Sequence, residues 1–173
     1  MKATLTRKFF TKHYPDINFH SPQLISSPNG AITQLEAIIN TEKNATWLLM
    51  GSSLGGYFST YLAEKYQIKA VLINPAVKPY ELLDNIIGEQ INPYTKERYQ
   101  VTKQHIIDLK LLEQQNIAKQ NYLVMVQKGD EVLDYQQAVE KYQRCQLVVQ
   151  EGGDHSFINY DTMLPKIAVF FNL

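Results

Sequence analysis

Three residues combine types and surroundings that could do chemistry together: Ser53, Asp130 and His155. Ser53 is the central residue of Gly51-Ser52-Ser53-Leu54-Gly55, a G-x-S-x-G pattern. Asp130 directly follows Gly129, and His155 follows Gly153-Asp154. A serine hydroxyl is a poor nucleophile near neutral pH until a base accepts its proton. An imidazole can accept that proton and return it to a leaving group, because its ordinary pKa lies near 6.5. A carboxylate keeps the imidazole in the required tautomer and stabilises the imidazolium. Serine, acid and histidine also follow one another in an order that such sets adopt. The backbone N–H of Leu54 is the candidate donor to a developing oxyanion. G-x-S-x-G taken alone is equally satisfied by a small-residue turn with no chemistry. Its neighbours along the chain decide which reading holds.

The other reactive types have plainer readings. Asp134 rivals Asp130 as the acid, but it immediately precedes a helical stretch and suits an N-cap. Asp154 is expected to shape the loop that carries His155. His13, His20 and His105 lie in polar or helix-end surroundings and read as surface residues. Cys145 has no local histidine and reads as a buried apolar thiol. Tyr57, Phe58 and Tyr61 could line a pocket, but helix packing explains them as well. No cluster has metal-ligand spacing, and the glycines at 51–56 lack the lysine of a phosphate loop. Neither a metal nor an organic cofactor is expected.

Positioning such a set requires elements that end at a common edge. Four short apolar runs stop at small or polar residues: Trp47-Leu48-Leu49-Met50 at Gly51, Ala70-Val71-Leu72-Ile73 at Asn74, Tyr122-Leu123-Val124-Met125-Val126 before Lys128-Gly129, and Leu147-Val148-Val149 before Gly152-Gly153. Continuous apolarity predicts strands buried on both faces, as in a parallel sheet. Helical periodicity is expected over 4–14, on the face Ile32, Leu35, Ile38 and Ile39, over 54–66, in parts of 80–112, and over 136–144 and 160–171. Ile17-Asn18-Phe19-His20 alternates like a short strand. Strands alternating with helices predict a three-layer α/β/α sandwich around a mostly parallel sheet, with ligands beyond the carboxyl ends of the strands. Ser53, Asp130 and His155 all fall just after apolar runs. A strand before and a helix after Ser53 would lift its hydroxyl above the sheet.

The chain has 173 residues, of which 45% are hydrophobic and 20% charged. That length suits one domain spanning 1–173, able to bury a core without disulfides or metal. Seventeen basic residues balance seventeen acidic ones, which argues against a dedicated nucleic-acid binder. A single cysteine excludes a disulfide framework. No apolar run approaches the roughly 20 residues of a membrane helix, and residues 1–8 lead into no signal-type apolar region. A cytoplasmic protein is the expectation.

The chain resembles the small bacterial YqiA-like esterases of the α/β-hydrolase superfamily. The resemblance rests on Gly51-Ser52-Ser53-Leu54-Gly55-Gly56-Tyr57, Asn74-Pro75-Ala76-Val77-Lys78-Pro79-Tyr80-Glu81-Leu82-Leu83, Asn92-Pro93-Tyr94-Thr95, Gly129-Asp130-Glu131-Val132-Leu133-Asp134-Tyr135 and Glu151-Gly152-Gly153-Asp154-His155-Ser156-Phe157. It implies a serine hydrolase acting on small-molecule acyl esters, with Ser53, Asp130 and His155 as the triad. A thioesterase or acyltransferase would share that chemistry. It also implies an apolar first strand and a His-Gly oxyanion loop, whereas Met1-Lys2-Ala3 aligns with the helix after that loop. The fold is therefore expected to be truncated at its N-terminal end, with one oxyanion donor missing, which typically costs on the order of 10²–10³ in rate. A start further upstream, a decayed copy with a binding or vestigial role, or a repaired sheet would each account for this. Repair could use Ile17-Asn18-Phe19-His20, or a homo-oligomer formed through the unpaired sheet edge. Residues 80–116 are expected to supply a lid or one wall of the acyl pocket.

Overall fold

The computed structural model describes residues 2–42, 44–83, 86–91 and 96–173. Asn92-Pro93-Tyr94-Thr95, one of the segments that carry the resemblance, and Met1 lie outside the described residues. In chain order the elements are α1 (Lys2–His13), α2 (Pro28–Thr41), β1 (Leu48–Ser53), α3 (Leu54–Tyr66), β2 (Lys69–Pro75), α4 (Pro79–Leu83), β3 (Gly88–Ile91), β4 (Arg98–Val101), α5 (Lys103–Leu111), β5 (Tyr122–Gln127), α6 (Tyr135–Lys141), β6 (Gln146–Gln150) and α7 (Leu164–Phe171). A 3₁₀ turn, Tyr160–Met163, leads into α7.

The four apolar runs become one parallel sheet in the order β1-β2-β5-β6. Alternation along each strand divides the core into layers. Leu48 and Met50 of β1, Val71 and Ile73 of β2, and Leu123 and Met125 of β5 pack on Phe10 of α1 and on Ile167 and Phe171 of α7. On the opposite face, Leu49 joins Ile32 and Ile39 of α2 and Phe58 and Leu62 of α3. Ala70, Leu72, Tyr122, Val124 and Val126 continue that face and meet Ala138 and Tyr142 at α6. The result is a mostly parallel sheet between two helical layers. No helix among the described residues is long and apolar enough to cross a membrane.

Local signals set several boundaries. Ser27 is extended, accepts a 3.3 Å bond from the Gly30 N–H and is followed by Pro28, which starts α2 cleanly. Gln67 and Asn172 take left-handed conformations and close α3 and α7.

One expectation needs correction and another is incomplete. Residues 17–20 do not form a strand, and among the described residues β1 pairs with β2 alone. Apolar alternation makes a strand only where a neighbouring edge supplies hydrogen bonds, and residues 17–20 line a cavity along β1 without making a ladder with it. Residues 80–112, read as partly helical, also contain the antiparallel hairpin β3–β4, with Gly88 opposite Val101 and Ile91 opposite Arg98.

Candidate active site

Ser53 ends β1 and precedes the first residue of α3 with φ 55° and ψ −125°, a conformation an L-residue holds only under constraint. The constraint is visible on both sides. The Ser53 carbonyl accepts a 3.1 Å bond from the Ala76 N–H, and the ladder skips a residue, so that Ser52 faces Ile73 while Ser53 faces Pro75. A Cβ on Gly51 would overlap the Gly55 carbonyl and the Ser59 hydroxyl, and one on Gly56 would press on Pro75 at 2.7 Å. These two glycines are required by close approach. Gly55, the last glycine of the motif, has open space where its Cβ would be. Ser53 sits at an N-cap position, yet its hydroxyl makes no capping bond. Leu54 is the first residue of α3, so its N–H has no acceptor within the helix.

Asp130 and His155 meet directly. Both carboxylate oxygens lie 2.9 Å from His155 Nδ1. The Asp130 side chain is 2% exposed and that of His155 25% exposed. Oδ1 of Asp130 also accepts 2.9 Å bonds from the N–H groups of Val132 and Leu133, which fix the carboxylate plane. Asp134 does not approach His155; it caps α6 by accepting from the Gln136 N–H at 2.9 Å. Glu131 accepts from the His155 N–H at 3.0 Å, and Asp154 takes the Ser156 hydroxyl at 2.6 Å. Lys2 donates to the Ser156 carbonyl at 2.9 Å; burial pushes its ammonium down, and Asp154 and Asp130 push back. No hydrogen bond joins the Ser53 hydroxyl to the His155 ring among the described residues.

Two buried amides that the sequence reading passed over tie these pieces together. Asn74 is the residue skipped in the β1–β2 register; it is 2% exposed, with φ 40°. Its Nδ2 donates to the carbonyls of Asp154 at 3.0 Å and His155 at 3.3 Å, and its Oδ1 accepts from the Gln127 N–H at 2.9 Å. Gln127, 3% exposed, donates to the Ile158 carbonyl at 2.9 Å and accepts from the N–H groups of Ile158 at 2.8 Å and Asp154 at 3.2 Å. One network therefore links the end of β2, whose next residues hold Ser53, to the end of β5 and the His155 loop. The available signal was positional: polar residues closing apolar runs.

The remaining candidates resolve simply. Tyr57 is 2% exposed, and its hydroxyl donates to the Leu109 carbonyl at 2.6 Å, joining α3 to α5. Cys145 is partly buried, which pushes its thiol up to about 11. Beside the strand ends, residues 76–82 and 132–137 enclose a cleft of about 50 Å³. A second cavity of about 810 Å³ runs along β1 and reaches Ser52 and Gly55.

A family described as "Uncharacterised protein family (UPF0227)" matches residues 1–172. Among solved structures, mouse alpha/beta hydrolase domain-containing protein 10 superposes with a TM-score of 0.71 at 18% identity, covering 99% of this chain and 83% of its own. Est1E from Butyrivibrio proteoclasticus, solved with ferulic acid bound, gives 0.67 at 16% identity over 84% of this chain and 68% of its own. A monoacylglycerol lipase from Paleococcus ferrophilus gives 0.63 at 14% identity over 87% and 78%.

Proposed function

From the premise that the chain belongs to the UPF0227 family and carries the α/β-hydrolase fold, we propose that it is a serine hydrolase of carboxylic esters. Ser53 attacks the ester carbonyl and His155 takes its proton. The tetrahedral intermediate places its negative charge near the Leu54 N–H. His155 then protonates the departing alcohol, leaving an acyl group on Ser53. Water repeats the cycle and releases the acid. Asp130 does not change protonation state; it orients the ring and stabilises the imidazolium.

The observation that carries this reading is the Asp130–His155 pair, a nearly buried carboxylate bound to Nδ1, together with a constrained serine at the end of β1 whose hydroxyl is uncommitted. Hydrolases of known structure with this fold include the esterase and the lipase above, which supports the reaction class.

The test is turnover of p-nitrophenyl acetate, butyrate and octanoate by the wild-type chain and by Ser53→Ala. Turnover of at least one of these esters, lost in Ser53→Ala, is expected. Equal rates for the two proteins would remove Ser53 from the chemistry. The open cavity beside Ser52 favours a second reading, a hydrolase-like domain that binds without turnover. A fluorophosphonate separates the two, since stoichiometric labelling of Ser53 requires an activated hydroxyl.

A further inference from the structure

The loop that carries His155, residues 151–159, is tightly wound: Gly152, Gly153, Phe157 and Asn159 all take positive φ, between 58° and 78°. The strand ends grip its backbone from one side. Asn74 at the end of β2 and Gln127 at the end of β5 hold the carbonyls of Asp154, His155 and Ile158 and the N–H groups of Asp154 and Ile158. Glu131 holds the N–H of His155. The Ser156 carbonyl has a different partner, from the helical layer. Lys2, in the first turn of α1, donates to it at 2.9 Å.

A second tie joins the same two segments. Thr6, 3% exposed, donates to the Lys2 carbonyl at 2.9 Å and meets the Tyr160 hydroxyl at 2.7 Å. Lys2 and Thr6 stand one turn apart on α1 and reach Ser156 and Tyr160, four residues apart on the segment of His155. One contact between two segments fixes a separation; two also fix an orientation. Phe10, a further turn along α1, shares a core cluster with Phe157 and Tyr160 and closes the seam. A lysine suits its place here. Asp154, whose carboxylate holds the Ser156 hydroxyl at 2.6 Å, and Asp130 both favour an ammonium at Lys2. The other charges around the loop are engaged elsewhere: Lys128 pairs with Glu151, Glu131 accepts from the His155 N–H, and Asp134 caps α6.

We propose that Lys2 is a positioning residue: with Thr6 it fastens the histidine loop to α1 at two points and so sets the tilt at which His155 is presented at the sheet edge. Asp130 fixes the imidazole at Nδ1, but the position of Nε2 depends equally on the backbone that carries the ring. The strand-end amides hold that backbone along one side only. With the α1 ties removed, the loop can rock about them. A displacement of about 1 Å at a reacting group can cost on the order of 10² in rate. The kinetic consequence rests on the serine-hydrolase reading, since the tilt matters for rate only if His155 moves a proton. The clamp itself is a property of the loop and has its own readout.

The test compares the 173-residue protein with Lys2→Met, which keeps the aliphatic stem and removes the donor, and with Lys2→Arg, which keeps a charged donor. Amide hydrogen exchange reads the loop, and p-nitrophenyl butyrate turnover reads the chemistry. In Lys2→Met the amides of Asp154, His155, Phe157 and Ile158 should exchange about tenfold faster, with those of β2 and β5 unchanged. The kcat should fall by about 10- to 100-fold with KM within about twofold. Lys2→Arg should restore most of both. Tyr160→Phe, which breaks the second tie without altering charge, should lower kcat in the same way. The double variant should lose less than the product of the two single losses, because either break already frees the orientation. Unchanged loop exchange in Lys2→Met overturns the proposal, and so does exchange that quickens equally in β2 and β5, which would be a general loss of stability. An unchanged kcat in an active enzyme, failure of Lys2→Arg to restore either readout, or single losses that simply multiply also overturns it. A wild-type protein that turns over no ester and takes no fluorophosphonate at Ser53 sinks the serine-hydrolase reading instead, and the exchange comparison then decides the clamp by itself.

Discussion

Asp130 and His155 hold each other in the arrangement the reaction needs, whereas the Ser53 hydroxyl is uncommitted. Asp130 shows how: two backbone N–H groups fix its oxygens and leave both within 2.9 Å of one imidazole nitrogen. Asp130→Asn keeps the shape and should keep the fold. The amide would present a donor or a weaker acceptor to Nδ1 and would no longer stabilise the imidazolium. We expect kcat for p-nitrophenyl butyrate to fall by about 10⁴, as in other serine triads, with KM little changed. A fall of less than tenfold, with His155 still required, would remove Asp130 from the acid's role. At this scale the sequence was informative for a physical reason. Nucleophilicity, basicity and charge belong to residue types, so Ser53, Asp130 and His155 stand out in one dimension. Asn74 and Gln127 did not, because an amide is chemically silent until its burial is known.

Between the elements, the decisive feature is an irregularity. The ladder of β1 and β2 skips Asn74, which turns this side chain out of the strand pair and toward the His155 loop. A regular strand would have left that loop without its attachment. Asn74→Ala strands the Gln127 N–H, a buried donor whose desolvation costs about 1–3 kcal/mol. It also places an alanine at φ 40°, where asparagine is tolerated better. At roughly 2–4 °C per kcal/mol for a chain of this size, Tm should drop by several degrees. Activity should fall through kcat, because Asn74 positions the histidine loop and does not meet substrate. A KM change with constant kcat would place it at the substrate instead. The strands of the main sheet were legible as apolar runs because burial on both faces leaves no polar side. The hairpin of β3 and β4 was not: Gly88-Glu89-Gln90-Ile91 buries little, and its pairing is decided by a distant segment, Arg98–Val101.

Across the whole molecule, tyrosine hydroxyls pin the layers to one another. Tyr160 meets Thr6 of α1 at 2.7 Å, Tyr142 meets Thr60 of α3 at 2.8 Å, Tyr122 reaches Glu64 of α3 at 2.5 Å, and Tyr57 reaches the Leu109 carbonyl of α5. All four rings are nearly inaccessible, from 0 to 3% exposed. Burial is the first cause of a raised phenol pKa in each; Tyr160 is pushed up to about 12, and Tyr57, Tyr122 and Tyr142 are raised as well. Unfolded phenols ionise near 10. Between those limits the unfolded chain has lost protons that the folded chain retains, so stability falls as pH rises. It is unaffected by these groups below about pH 9. Each retained proton steepens the fall by roughly 1.4 kcal/mol per pH unit, and the four act together because the layers separate together. The fold should therefore hold a constant urea midpoint from pH 7 to 9 and unfold cooperatively between about pH 10 and 12. Phenolate absorbance of the four buried rings should appear in the same step as the loss of circular dichroism. A smooth titration of all eleven tyrosines near pH 10 with the fold intact would show that these hydroxyls are not sealed between the layers.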